Sequence, residues 1–318
     1  MKIHINKQKV TTPGIVMKNI VKHVGVIGLG SMGMGIAQSL IKNNISTYGF
    51  DLDQVACQTL KHAGAVAVGQ NAAPFAQQLD ALLLVVVNGH QVESILFGGD
   101  QPLVEQLKPN TIIVLHSTVS AEQTKHIAEQ LKKYSLLFVD APISGGAIKA
   151  AEGKLTIMAS GEPALFEQLQ YVFSATSERL YRIGDQIGLG STVKSIHQLL
   201  AGVHIAVAAE SMALAAKAGI DLNMMYDIVT HAAGNSWMFE NRMQHVLAGD
   251  YHPKSSVDIF VKDLGLVMDA AKALNFPLPL AATAHQMFIA ASNEGFGKQD
   301  DSAVIKIFKG ISLPEKKA

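Results

Sequence analysis

The first short β-branched run of the chain, His23–Ile27, passes directly into Gly28-Leu29-Gly30-Ser31-Met32-Gly33, and a helical pattern follows over residues 34–42. A GxGxxG match is weak alone, but between a strand and a helix it has the context of a dinucleotide-binding turn. Gly28 permits the tight turn, Gly30 lets the backbone approach a pyrophosphate, and Gly33 lets helix and strand pack closely. The helix start, reached through Leu29, Ser31 and Met32, offers free N–H groups and a positive dipole end to phosphates. The alternative, a structural glycine-rich turn, has no use for an open helix N-terminus. This feature restricts the first half of the chain to a Rossmann-type α/β unit.

The second predicted strand, Ser46–Phe50, ends at Asp51, 23 positions after Gly28. That is close to the about 20 expected for an acid that binds the adenosine ribose. A carboxylate there accepts from ribose hydroxyls and repels a 2′-phosphate. Neither Lys nor Arg occurs between Asn43 and Leu60 to bind such a phosphate. The expected cofactor is therefore NAD. Asp51 is also a candidate helix N-cap, as is Asp53.

Further strands are expected at residues 82–87, 111–115, 136–140, 155–160 and 179–182, with helices between them, for example over 121–133 and 163–173. Continuous apolar runs such as Leu82-Leu83-Leu84-Val85-Val86-Val87 suit strands covered on both faces. Alternating strands and helices predict a doubly wound, mainly parallel sheet. Asn88, directly after the run at 82–87, is placed with the cofactor contacts.

With 318 residues, the chain suits two domains. The expected division is a flexible extension at 1–20, a Rossmann domain at 21–186, an all-α domain at 187–313 and a tail at 314–318. Charged residues make up only 16%, against about 25% in an average globular chain, which suits a chain that buries much of its surface, as packing against a partner subunit would explain. Lys plus Arg and Asp plus Glu balance at 26 each, with no basic block, so nucleic acid and anionic membranes are not expected partners. The apolar stretch at 199–220 is interrupted by His204, Glu210 and Lys217 and reads as a core helix rather than a membrane span. The first twenty residues hold no apolar signal-peptide core. A single cysteine, Cys57, excludes an intrachain disulfide and fits a reducing cytoplasm. No metal-ligand spacing is evident. His197 and His204 are seven apart, about 10.5 Å along a helix, too far for comfortable chelation of one ion.

Two patterns bear on the chemistry. Asp140-Ala-Pro-Ile-Ser144-Gly145-Gly146 follows a strand. Its turn is either a backbone N–H cradle for a carboxylate or a plain Pro/Gly turn closing the strand. The second pattern, Gly188-Leu-Gly190-Ser-Thr-Val-Lys194-Ser-Ile-His197-Gln198, opens a long helix expected over 191–218, with Gly219 as its C-terminal stop. Lys194, His197 and Gln198 share one face at i, i+3 and i+4. A buried lysine loses basicity by desolvation and exchanges protons near neutrality, whereas a lysine at a helix start is ordinarily solvated.

Together these motifs resemble the β-hydroxyacid dehydrogenase family, which includes 3-hydroxyisobutyrate dehydrogenase and tartronate semialdehyde reductase. The matching pieces run from Gly28 to Gly33, through His116-Ser117-Thr118, Asp140 to Gly146 and Gly188 to Lys194, to Lys262-Asp263-Leu264. The resemblance implies a small hydroxy-acid substrate, a homodimer or homotetramer, and an active site between the two domains. By it, Lys194 matches the catalytic lysine and Ser144, Gly145 and Gly146 the substrate carboxylate site. Thr118 matches a nicotinamide-side contact, and Lys262 a cofactor contact from the helical domain. Where the family carries Asn four residues after the lysine, this chain has Gln198, preceded by His197. That departure, with residues 197–204 and 235–241, resembles the subgroup that includes L-threonate 2-dehydrogenase. It implies a four-carbon polyhydroxy acid met by His197 and Gln198. A non-catalytic NAD-binding sensor on the same fold is the alternative of another class.

Overall fold

The computed structural model describes residues 20–316. The extension expected at 1–20 therefore lies outside the described residues except for Ile20, as do residues 317–318 of the expected tail. The first part alternates β1 (His23–Ile27), α1 (Ser31–Lys42), β2 (Ser46–Phe50), α2 (Gln54–His62), β3 (Ala67–Gly69), β4 (Ala81–Leu84), α3 (Gly89–Phe97), α4 (Leu103–Gln106), β5 (Ile112–Leu115), α5 (Ala121–Lys132) and β6 (Leu137–Asp140). It continues through β7 (Ile143–Ser144), α6 (Gly146–Ala151), β8 (Leu155–Ser160), α7 (Pro163–Gln168), α8 (Gln170–Thr176) and β9 (Ser177–Gly184). Then come helices only: α9 (Leu189–Lys217), α10 (Leu222–Thr230), α11 (Trp237–Leu247), α12 (Val257–Ala273) and α13 (Pro279–Ala291), followed by short turns of other helix types.

The sheet order is β3-β2-β1-β4-β5-β6-β8-β7, with β9 on β8. The first six of these strands are parallel in the doubly wound order, so the expected fold class is the one observed. The departures from parallel lie at β8, which runs against β6 and β7. Alternation along the strands explains the continuous apolar runs. Ala81 and Leu83 of β4 enter the core on one face, and Leu82 and Leu84 enter the core on the other.

Several boundaries differ from the sequence reading. The strand expected to reach Val87 stops at Leu84, because the chain then turns under the glycine loop: Val85 N–H donates to the Ile27 carbonyl, and Val86 N–H to the Ser117 hydroxyl. Residues 163–173 form two helices that meet at Leu169 rather than one. The strands β3 and β7 are too short to show a period in sequence.

α9 has 29 residues and begins at Leu189, two residues earlier than expected. It ends as read. Gly219 adopts φ +75°, its N–H donates to Ala216 O, and the Ile220 N–H donates to Ala215 O, which closes a Schellman motif. By length and composition α9 is a candidate membrane span, but half of its apolar window is buried in the protein. Ile205, Ala209, Met212 and Ala213 form a core with Phe260 and Leu264 of α12, Phe288 of α13 and Met243 of α11.

Candidate active site

The glycine loop has the geometry its motif requires. A Cβ on Gly33 would lie 1.7 Å from the Gly28 carbonyl oxygen, so only glycine lets α1 pack this close to β1. At Gly30, by contrast, a Cβ would meet nothing within 4 Å. The N-terminus of α1 has no side-chain cap and no acidic residue in its first turn. Asp53, Asn88 and Ser120 do cap α2, α3 and α5. An open cradle at an uncapped helix start fits a dinucleotide pyrophosphate.

Asp51 and Asp53 have separate tasks. Asp53 is the N-cap of α2, accepting from Val55 N–H at 2.8 Å. Asp51 instead accepts from Leu29 N–H at 2.6 Å and Asp53 N–H at 2.9 Å, which ties the end of β2 to the glycine loop. Lys61, the next cation along the chain, is turned away and donates to the Ala65 and Val66 carbonyls. Asn88 accepts from Gln91 N–H at 2.9 Å as the cap of α3, a use of its side-chain oxygen that the sequence reading did not foresee.

The turn after β7 uses two positive φ values, +142° at Gly145 and +78° at Gly146, which an L side chain rarely adopts. The short helix α6 that follows packs on α1. A Cβ on Gly35 of α1 would come within 2.7 Å of Ala150. The Ser-Gly-Gly turn is thereby fixed to the helix that starts at the glycine loop.

The residues singled out in sequence meet in one polar chain. Ser144 Oγ lies 3.5 Å from His197 Nε2, and His197 Nδ1 lies 3.0 Å from Gln198 Oε1. Lys194 Nζ donates to the same Gln198 Oε1 at 2.9 Å. Gln198 Nε2 donates to Asp263 Oδ2 at 2.5 Å, and Lys262 Nζ donates to Asp263 Oδ1 at 2.5 Å. Lys262 Nζ also donates to the Thr118 carbonyl at 3.1 Å. Ser144, His197, Gln198, Lys194, Lys262 and Thr118 come from four distant segments of sequence.

Burial sets the electrostatics. Lys194 is 6% exposed, and desolvation lowers its pKa to about 8, against the opposing pull of Asp263 and with help from Lys262. His197 reaches solvent on one edge. Partial burial, then the charge of Lys194, hold its pKa below the ordinary value, so its imidazole is neutral at pH 7. His116 is buried, its pKa is lowered to about 4 by desolvation, and its Nδ1 pairs with the Ala141 carbonyl at 2.6 Å. A neutral lysine amine here can take a proton, and its ammonium form can return one.

Asp263 is the partner that sequence reasoning passed over. It stood in the Lys262-Asp263-Leu264 motif without a role, because nothing local marks its partner Gln198, 65 residues away. In the fold it is 2% exposed and holds the Gln198 amide. Gln198, expected to face substrate, therefore has its amide oxygen and nitrogen both engaged within the protein. Its carbonyl serves Lys194 and His197, and its NH₂ group serves Asp263.

The chain is similar to known proteins over nearly its whole length. Residues 23–184 match the family model described as the NAD binding domain of 6-phosphogluconate dehydrogenase. Residues 188–308 match the one described as NAD-binding of NADP-dependent 3-hydroxyisobutyrate dehydrogenase. The chain is 60% identical over 296 residues to the L-threonate dehydrogenase of Escherichia coli, covering 93% of this chain and 98% of that protein. It is 58% identical over 302 residues to the L-threonate dehydrogenase of Haemophilus influenzae, covering 95% of this chain and all of that protein. A solved structure described as 3-hydroxyisobutyrate dehydrogenase from Salmonella typhimurium superposes with a TM-score of 0.86 at 58% identity, over 90% of this chain and 99% of that one. The chain thus belongs to the β-hydroxyacid dehydrogenase family related to 3-hydroxyisobutyrate dehydrogenase, and is a nicotinamide-dinucleotide-dependent dehydrogenase.

Proposed function

We propose that the protein oxidises L-threonate to its 2-oxo acid, with NAD as cofactor and Lys194 as general acid/base. The observation that carries the chemistry is Lys194 itself, an almost fully buried amine with a pKa lowered to about 8 on the helix face that reaches Ser144 through His197. The substrate follows from the relatives named above and from His197, which lies beside Ser144 at the site.

The Ser144 hydroxyl and the N–H groups of Gly145 and Gly146 bind the substrate carboxylate. Neutral Lys194 takes the proton of the C2 hydroxyl; NAD, held at the glycine loop, would supply the hydride acceptor when bound. Lys194 donates one N–H to Gln198 Oε1, which is itself held by Asp263, so the lone pair is directed away from that pair. In the reverse direction the lysine ammonium returns the proton, with Asp263 nearby to stabilise the charge. His197 presents a neutral imidazole to the remaining hydroxyls. Lys262, held at the Thr118 carbonyl, and Thr118 line the cofactor side. Asp51, with Lys61 turned to the Ala65 and Val66 carbonyls, favours NAD over NADP.

Ile196, Leu200, Val207 and Leu214 are each more than half exposed, and they fall along one side of α9. Such an apolar stripe supports a homo-oligomer.

The deciding assay follows NADH absorbance with NAD or NADP and a panel of L-threonate, D-threonate, L-serine, D-glycerate and 3-hydroxyisobutyrate. NAD-dependent turnover of L-threonate above the others is expected. Preference for another acid overturns the substrate assignment. The pH dependence has a definite sign. Oxidation needs neutral Lys194, so its kcat/KM rises with pH through about 8, while reduction needs the ammonium and falls over the same interval. Gln198→Asn shortens the link to Asp263. It is expected to lower kcat about tenfold, the effect of losing one charge-assisted hydrogen bond, and to change the ranking of acids in the panel. An unchanged ranking counts against a substrate role for this position.

A further inference from the structure

Asp140 is the first residue of the Asp140 to Gly146 motif, but it does not face the substrate turn. It ends β6, is fully buried and belongs to no ion pair among the described residues. Its carboxylate instead crosses to the start of α9. Oδ2 accepts from Gly188 N–H at 3.1 Å, from Ser191 N–H at 2.9 Å and from Ser160 Oγ at 3.2 Å, and Oδ1 accepts from Ser191 Oγ at 2.7 Å. The first residues of α9 have no side-chain cap of their own. The cap of this long helix thus comes from the sheet.

The contact is tight and made in depth. A Cβ on Gly190 would lie 2.5 Å from the Met158 carbonyl and 2.9 Å from the Asp140 carbonyl. Gly190 N–H donates to Ser160 Oγ at 3.1 Å, and Ser191 Oγ lies 3.0 Å from Thr124 Oγ1 of α5. Lys194 follows Ser191 by one turn of the same helix. On the other side, the chain leaving Asp140 reaches Ser144, Gly145 and Gly146 within six residues. One buried carboxylate therefore lies at the root of both halves of the site.

We propose that Asp140 is a positioning residue for catalysis: by capping α9 from the sheet it sets where Lys194 stands relative to the Ser144, Gly145 and Gly146 turn. This rests on Lys194 as the acid/base and adds what holds it in register. Asp140→Asn keeps the shape but loses the charge and one of the two accepting oxygens: with its amide oxygen in the Oδ2 place, its NH₂ group faces Ser191 Oγ, which can no longer donate there. The helix start must then shift or lose bonds, and small displacements of a reacting group cost about 10²-fold in rate.

The experiment compares wild type, Asp140→Asn, Ser191→Ala, the double variant and Lys194→Met. It measures kcat and KM for L-threonate, NAD affinity and the pH profile of kcat/KM. Asp140→Asn should lower kcat by about 10²-fold with NAD affinity unchanged, because the glycine loop is not part of this contact. Lys194 loosened from its buried position gains water, so the pH midpoint should move up from about 8 toward the ordinary lysine value. A merely structural role would not move that midpoint. Ser191→Ala removes the bonds of its hydroxyl to Asp140 Oδ1 and Thr124 Oγ1 and should cost about five- to tenfold in kcat, and its effect should be non-additive with Asp140→Asn. Wild-type kcat and midpoint in a folded Asp140→Asn protein overturn the proposal. If that variant does not fold, Ser191→Ala decides: a loss in kcat with a raised midpoint supports it, and unchanged values overturn it. Lys194→Met separates the two readings. If it is inactive while Asp140→Asn is normal, only the positioning role fails. If it retains turnover, the acid/base assignment fails first.

Discussion

Replacing Lys194 with methionine is expected to lower kcat for hydroxy-acid oxidation by about 10²–10⁴-fold, the range for losing a positioned general base. Methionine is nearly isosteric with the lysine stem and suits a site only 6% exposed, so the fold should survive. NAD affinity should not change, because the glycine loop and Asp51 lie on other elements. The pH dependence centred near 8 should disappear with the amine. Lys194→Arg tests the same point from the other side. A guanidinium stays charged at every accessible pH and cannot serve as the base, so this variant should be as impaired despite keeping a cation beside Asp263. Turnover within about tenfold of wild type in either variant would mean that another group moves the proton.

The second large effect is expected at the glycine loop, where two glycines three residues apart should behave differently. Gly33→Ala forces a Cβ to within 1.7 Å of the Gly28 carbonyl oxygen, a backbone atom that cannot yield cheaply. α1 must move off β1, so stability should fall by about 1–3 kcal/mol, the cost of overpacking. NAD affinity should fall with it, because the helix N-terminus that receives the pyrophosphate is displaced. Gly30→Ala places its Cβ in open space, with no heavy atom within 4 Å and an ordinary φ of −64°. That variant should unfold at the wild-type temperature yet bind NAD more weakly, since the methyl group occupies the approach of the phosphates. Thermal unfolding with and without NAD separates the cases. A Gly30→Ala protein with undiminished NAD affinity would remove the pyrophosphate from this loop.

The sequence alone determined the parts whose signals are local. A strand followed by Gly28 to Gly33 and a helix pattern can be little other than a dinucleotide loop, because each glycine answers a backbone constraint within a few residues. The apolar runs of β4 and β5 announced a sheet buried on both faces, and Gly219 announced the end of α9. Lys194, His197 and Gln198 were legible as one face because helical spacing puts them there. Tertiary structure decided what these groups do to one another. Whether Lys194 is solvated or buried depends on helices far along the chain, and its lowered pKa is a consequence of that packing. Asp51 and Asp53 were equal candidates for a helix cap until Leu29 N–H was seen to claim Asp51. Asp263 carries no local mark of its link to Gln198, 65 residues away, nor Asp140 of its hold on Ser191, 51 residues away. Hydrogen bonds between distant segments have no sequence period. Only the folded chain, by bringing donors and acceptors into a dry interior, selects which of them form.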